Sequence, residues 1–179
     1  WGVKDEKNIK NVVGGNLLFG LIITAVFFLL STLFSEQVLS VYTKDARIIE
    51  MGSGYLVVNA AGYIPMLLIM IYASVLRSTG HVKAPMYAGV FAVVLNTALN
   101  YIFIFGKFGL HPMNYMGTAY ATTIARVLEA LLLIAFTYLN KYPGAYKIKE
   151  LFSFKIDFIK QILIIAAPLI ANEFLWALG

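Results

Sequence analysis

Charge is missing from long stretches of this chain, and those stretches recur at regular intervals. Residues 14–34, 53–76 and 86–106 carry no charged side chain, and residues 116–140 carry only Arg126 and Glu129. Each block is near the roughly 20 residues that a helix needs to cross a hydrocarbon layer about 30 Å thick. In water, a helix apolar on every side must be buried all round. In a bilayer it satisfies its own backbone hydrogen bonds and needs no polar face. We expect an all-α polytopic membrane protein with spans at about 14–34, 53–76, 86–106 and 116–140. A further apolar block, 158–179, contains Pro168 and Glu173.

Composition agrees and removes whole classes. Hydrophobic residues make up 60% of the chain and charged residues 13%, against about 45–50% and about 25% in soluble domains. A water-soluble enzyme is excluded on that ground. Cysteine is absent, so no disulfide framework, thiolate nucleophile or thiolate metal site is encoded. The two histidines, His81 and His111, lack carboxylates at metal-site spacing and read as loop residues. We expect no metal centre and no catalytic residues. No phosphate-binding GxxxxGK[ST] loop occurs, so energy for any transport comes from an ion gradient or another subunit.

The charges lie between the apolar blocks, and their distribution sets topology. Ten loop cations fall in the first, third and fifth polar segments: Lys4, Lys7, Lys10, Arg77, Lys83, Lys141, Lys147, Lys149, Lys155 and Lys160. Only Lys44, Arg47 and Lys107 fall in the second and fourth. The positive-inside rule puts the first group in the cytoplasm. A net charge of +5 distributed in this way fits a lipid bilayer and not nucleic acid. Residues 141–157 read as a basic cytoplasmic linker, and its Lys149–Gln161 stretch mixes lysines with Phe and Ile in a way that suits the membrane interface. The chain opens on Trp1 and stops at Gly179 inside an apolar block, so we expect an internal piece of a longer protein.

Polar groups inside spans are costly and are functional candidates by default. In the third span Ala88, Ala92, Asn96 and Asn100 recur every fourth residue and share one helix face. In the fourth, Thr118 and Thr122 lie beside the small-residue ridge Gly117, Ala121 and Ala125, which permits close helix approach. Amide and hydroxyl oxygens can ligate a hard cation, and the same groups can hydrogen-bond between helices. Both readings stand at this point. Arg126 and Glu129 are spaced to pair on one helix face. Glu173 is the lone acid of the last block. Arg126, Glu129 and Glu173 are therefore candidates for a pathway or proton-linked role.

Three motifs in order give the chain a resemblance. Arg77, Gly80 and Pro85 form an R-x-x-G-x-x-x-x-P turn. Leu95, Asn96, Leu99 and Asn100 form an L-N-x-x-L-[DN] helix that ends on Phe105-Gly106, and Met116, Gly117, Ala121 and Thr122 form an M-G-x-x-x-A-T helix start. Together they resemble the multidrug and toxic compound extrusion (MATE) transporter family, and Pro168–Gly179 resembles the start of that family's seventh helix. The resemblance implies a parent of twelve helices in two six-helix lobes. This chain would supply helices three to six, the interlobe linker 141–157 and, in 158–179, the start of helix seven.

The resemblance also implies a function. The family exports organic cations and drugs in exchange for Na⁺ or H⁺ by alternating access, so the implied partners are small organic cations, the bilayer and the parent's remaining helices. No cofactor is implied beyond the coupling ion. By motif position a cation site would use Asn96, Asn100, Thr122 and the backbone carbonyl of Thr118, with an Asp from a first helix outside this chain. Asn100 stands where some members carry Asp, which removes one charge from the site. The alternatives are a lipid-linked oligosaccharide flippase of the same superfamily and a non-transporting membrane scaffold.

Overall fold

The computed structural model describes residues 6–151 together with Ile164, Ala167, Pro168 and Asn172. Among these, all regular secondary structure is helical. The elements are α1 (Glu6–Leu33), α2 (Ser35–Ser40), α3 (Ala46–Ala60), α4 (Tyr63–Ser78), α5 (Lys83–Phe105), α6 (Asn114–Leu139) and α7 (Ile148–Leu151). Helices α1, α5 and α6 are each long and apolar enough to span a membrane, and α3 with α4 forms a fourth candidate bent by 48°.

The bend falls inside the span expected at about 53–76, next to Gly62 and Pro65. The helix starts earlier, at Ala46, because Asp45 caps it by accepting from the backbone N–H of Arg47 (2.9 Å) and Ile48 (3.4 Å). The capped turn carries Arg47 and Glu50, so hydropathy alone misses it. The helix breaks at Ala61–Gly62. Pro65 lies four residues after Ala61, and a proline ring clashes with the carbonyl four residues before it. At the break the N–H groups of Ala61 and Gly62 turn back to Val58 and Asn59. Thr123 of α6 donates its hydroxyl to the Val58 carbonyl at 3.3 Å. A neighbouring helix thus meets backbone that the break exposes.

Helix ends at opposite faces of the bundle share one device. His81 N–H reaches the Leu76 carbonyl, Lys107 N–H reaches Ile102, and Tyr142 N–H reaches Thr137, each spanning five residues. The residue before each donor has positive φ: Gly80, Gly106 and Lys141. This is the left-handed closure that stops a helix and satisfies its last carbonyls. Only Gly fits at 106, because a Cβ there would lie 2.6 Å from the Leu110 carbonyl and the Pro112 nitrogen. Where α4 and α6 close side by side, His81 stacks on Tyr142 with centroids 3.9 Å apart. His81 is thus a half-buried partner of the linker and not a freely solvated loop residue.

Helix α6 is the central element, packing on α3, α4 and α5. One core joins Tyr72, Ala73 and Leu76 of α4 to Ala88 of α5 and Leu133 of α6. A second joins Val13 and Leu17 of α1 to Ile71 of α4 and Leu151 of α7, so the linker folds back over the end that bears Lys10. Many large apolar side chains stay outside these cores: Ile22, Phe27, Val90 and Val94 are all more than half exposed. An apolar surface this extensive needs an apolar surrounding, and the chain is a multi-pass membrane protein. Linker residues after Leu151 and the candidate Glu173 lie outside the described residues.

Candidate functional site

Helices α5 and α6 run antiparallel, and their register can be read from three contacts. At one end a Cβ on Gly117 would come within 2.9 Å of the Phe103 backbone, so only Gly lets the two helices approach so closely there. In the middle Asn96 Nδ2 donates to Thr122 Oγ1 at 3.3 Å. At the other end a Cβ on Gly89 would lie 3.8 Å from Glu129 Oε1. The same register sets Asn100 level with Thr118. The seam therefore runs from a glycine contact, through two amide–threonine levels, to a carboxylate.

The polar groups form a chain with a loose end. Asn100 Nδ2 donates to Asn96 Oδ1 at 3.0 Å, and Asn96 passes its own amide hydrogen to Thr122. Asn100 Oδ1 is left buried and without a hydrogen-bond partner. A buried acceptor in that state costs about 1–3 kcal/mol, so this atom is poised for a donor or a cation. Thr118 is half-buried in the early turns of uninterrupted α6. Its carbonyl is the acceptor for the N–H four residues on, which leaves one lone pair for any ligand.

Beside this cluster lies a cavity of about 440 Å³ walled by Gly89, Ala92, Val93 and Asn96 of α5. Thr122, Ala125, Arg126 and Glu129 of α6 close the other side. The volume falls within the range of small-molecule sites, about 300–1,000 Å³. Arg126 Nη1 donates to Glu129 Oε2 at 2.9 Å, with the Glu129 side chain 8% exposed and that of Arg126 46% exposed. Pairing lowers the cost of holding both charges at membrane depth. Among the described residues no group of three or more His, Cys, Asp or Glu is placed to hold a metal.

The structure thus brings Asn96, Asn100 and Thr122 together, sets Thr118 beside them, and puts Arg126 and Glu129 on the same cavity. Sequence reasoning missed Gly89 and Thr123. A signal for Gly89 existed: Gly89 to Asn96 and Thr122 to Glu129 are both seven residues, about two helical turns, so two contacts recur in one register.

Fold and site together define a polytopic helical membrane protein with a polar seam between two of its spans. The family model described as MatE matches residues 1–102, more than half the chain, and the chain belongs to that family. It is 29% identical over 143 residues to the probable multidrug resistance protein YoeA of Bacillus subtilis (strain 168), covering 80% of this chain and 31% of YoeA. It is 32% identical over 143 residues to the probable multidrug resistance protein NorM of Photorhabdus laumondii, with 80% and 31% covered. Against the NorM of Listeria monocytogenes serovar 1/2a it is 30% identical over 171 residues, with 93% and 37% covered. The chain therefore spans about a third of the length of the curated relatives it matches. Its fold is similar to that of a multidrug resistance MATE family transporter of the MOP superfamily solved in an inward-facing conformation. The TM-score is 0.79 at 22% identity, with 93% of this chain and 37% of that one covered.

Proposed function

We propose that this chain is part of a secondary active efflux transporter that exports organic cations or drugs in exchange for Na⁺ or H⁺. The observation that carries the reading is the buried, unpartnered Asn100 Oδ1 at the end of the Asn96–Thr122 relay. In this reading Asn96, Asn100 and Thr122, with the Thr118 carbonyl, offer neutral oxygens to the coupling cation. A carboxylate from outside the chain adds charge. Membership of the MatE family and relatives named as multidrug resistance proteins support drug export.

A flippase for lipid-linked oligosaccharides is disfavoured by the cavity's charge. Such an anionic substrate needs a cationic chamber, and here Arg126 is paired with Glu129.

The test uses the full-length parent in proteoliposomes, wild type beside Asn100→Ala. A Na⁺ gradient and then a pH gradient are imposed while accumulation of a cationic dye is followed. Dye movement under at least one gradient, weakened by Asn100→Ala, is the expected result. No movement under either gradient overturns antiport of those dyes. Movement that Asn100→Ala leaves untouched moves the coupling site elsewhere.

A further inference from the structure

The Arg126–Glu129 pair has a location that a merely structural ion pair does not need. It closes one end of the cavity on which Asn96 and Thr122 lie. Glu129 sits two turns from Thr122 on the same helix face, about 10 Å along α6. The opposite end of the seam is shut, since Gly117 rests on the Phe103 backbone. Beyond Glu129 the seam is shut again, because Ala88 and Leu133 are packed into the α4–α5–α6 core. Between these two ends the cavity is open along its side, where Arg126, with its side chain 46% exposed, and Val93, 67% exposed, stand on opposite walls. A half-exposed guanidinium at this depth does not face lipid tails, because that position is the costliest a charge can take. It faces the interior of the parent protein or water.

We propose that Arg126 and Glu129 form an exchange gate between the cation cluster and an aqueous vestibule reached from the cytoplasmic side. The proposal rests on the reading that Asn96, Asn100 and Thr122 hold the coupling cation. Glu129 supplies a fixed negative charge that the neutral cluster lacks. Arg126 is a tethered cation that occupies Glu129 when no mobile cation is there. A cation passing between vestibule and cluster takes the place of Arg126 at the carboxylate, and the guanidinium swings toward the opening it already faces. The sidedness follows from the chain's charge pattern. Glu129 lies toward the end of the bundle that bears Arg77, Lys83 and Lys141, and the glycine contact lies toward the other. Glu129 meets the cation in transit and not at its resting site, so Arg126 and Glu129 govern rate and charge selection more than affinity.

The absence of cysteine from this chain makes the gate directly testable. Val93→Cys is placed on the cavity wall of the full-length transporter in inside-out vesicles, with any other cysteine of the parent replaced. Membrane-impermeant cationic and anionic methanethiosulfonate reagents are then compared. The cationic reagent is expected to react about tenfold faster than the anionic one, as a fixed charge in a narrow cleft steers ions. Adding Glu129→Gln abolishes the preference, Glu129→Asp keeps it, and adding Arg126→Gln raises the cationic rate and widens the preference. If Glu129→Gln does not accumulate in the membrane, the Arg126→Gln and Glu129→Asp arms decide. A preference that survives Glu129→Gln, rates indifferent to Arg126→Gln, or equal labelling from the outer face overturns the gate. Dye transport in the same vesicles separates the two readings. A wild type that moves no dye under either gradient overturns the coupling reading and the gate with it. Wild-type transport with no charge preference at position 93 overturns the gate alone.

Discussion

Two helix pairs in this molecule enclose cavities of the same size and opposite chemistry. The α5–α6 cavity and the α1–α4 cavity each measure about 440 Å³. The first is lined with an amide, a hydroxyl and an ion pair. The second is lined by Phe27, Tyr63, Met66, Leu67 and Met70, with Thr24 as a small polar exception. The α1–α4 pair carries a polar clasp, the 2.9 Å hydrogen bond between Ser31 and Tyr63, and among the described residues it leaves no buried side-chain atom without a partner. At α5–α6 the hydrogen bonds run along the seam and end on an acceptor with no partner. Volume therefore does not distinguish a site from a packing gap in this bundle. An unfinished hydrogen-bond relay and a charge held next to it do.

The glycines of the two pairs sharpen the contrast and give the largest predicted effect. A Cβ on Gly117 meets the Phe103 backbone at 2.9 Å and the Ile104 nitrogen at 3.0 Å, and neither can move without displacing α5. Gly117→Val is expected to destabilise the full-length transporter by about 3 kcal/mol, the upper part of the range for overpacking. It should also part Asn96 from Thr122. A detergent unfolding titration in which Gly117→Val matches wild type would show that α5 and α6 are not packed as described.

Next in size is the ion pair. Arg126→Ala leaves Glu129 Oε2 without its donor in a site 8% exposed. The expected loss is about 1–2 kcal/mol, kept low in the range for an orphaned buried group because Arg126 is itself partly exposed. Replacing both residues together, Arg126→Met with Glu129→Leu, should restore stability to near wild type, since an apolar pair of similar volume often substitutes for a buried ion pair. Thermal unfolding of the single and double variants checks this. A double variant less stable than Arg126→Ala would assign the pair a structural role that the cavity geometry does not require.

How much of this could be read from residues alone differs between the two pairs. The spans around α1 and α5 follow from uncharged runs and that around α6 from a run broken only by Arg126 and Glu129, and the Asn96–Asn100 stripe follows from its four-residue spacing. For the α3–α4 break the residues carry a signal, Gly62 and Pro65, but hydropathy averages over them and reports apolar depth, not backbone continuity. The early start of α3 at Ala46 was hidden for the converse reason: the Asp45 cap sits among charges that mark a loop. Which helix faces which is set by contacts far apart in sequence, so the seven-residue spacing shared by Gly89–Asn96 and Thr122–Glu129 becomes a contact only once α5 and α6 are docked. The α1–α4 cavity has no sequence signature, being a gap between apolar side chains of irregular shape.

Thr123 joins the two halves of this comparison. It follows Thr122 in sequence but points away from the polar seam, giving its hydroxyl to the Val58 carbonyl at the break between α3 and α4. Thr123→Val keeps the shape and removes the donor. An interhelical hydrogen bond in a membrane is worth about 0.6 kcal/mol on average, so a loss of that order is expected in detergent unfolding. A loss well above it would mean that the break depends on this single bond.

The smallest effect is expected at Gly20, in the apolar pair. A Cβ there would meet the end of the Leu67 side chain, a flexible group beside a cavity with room to receive it. Gly20→Ala also exchanges the poorest ordinary helix former for the best, a gain of about 1 kcal/mol in a helix interior. The two terms oppose each other, and the net change in stability should be close to zero. Dye transport should be unchanged, because no residue of the polar seam lies on this cavity. Parallel unfolding and transport measurements on Gly20→Ala and Gly117→Val therefore form the sharpest single contrast. Equal losses at the two glycines would mean that the pairs are packed alike, and that the polar seam owes nothing to the close approach at Gly117.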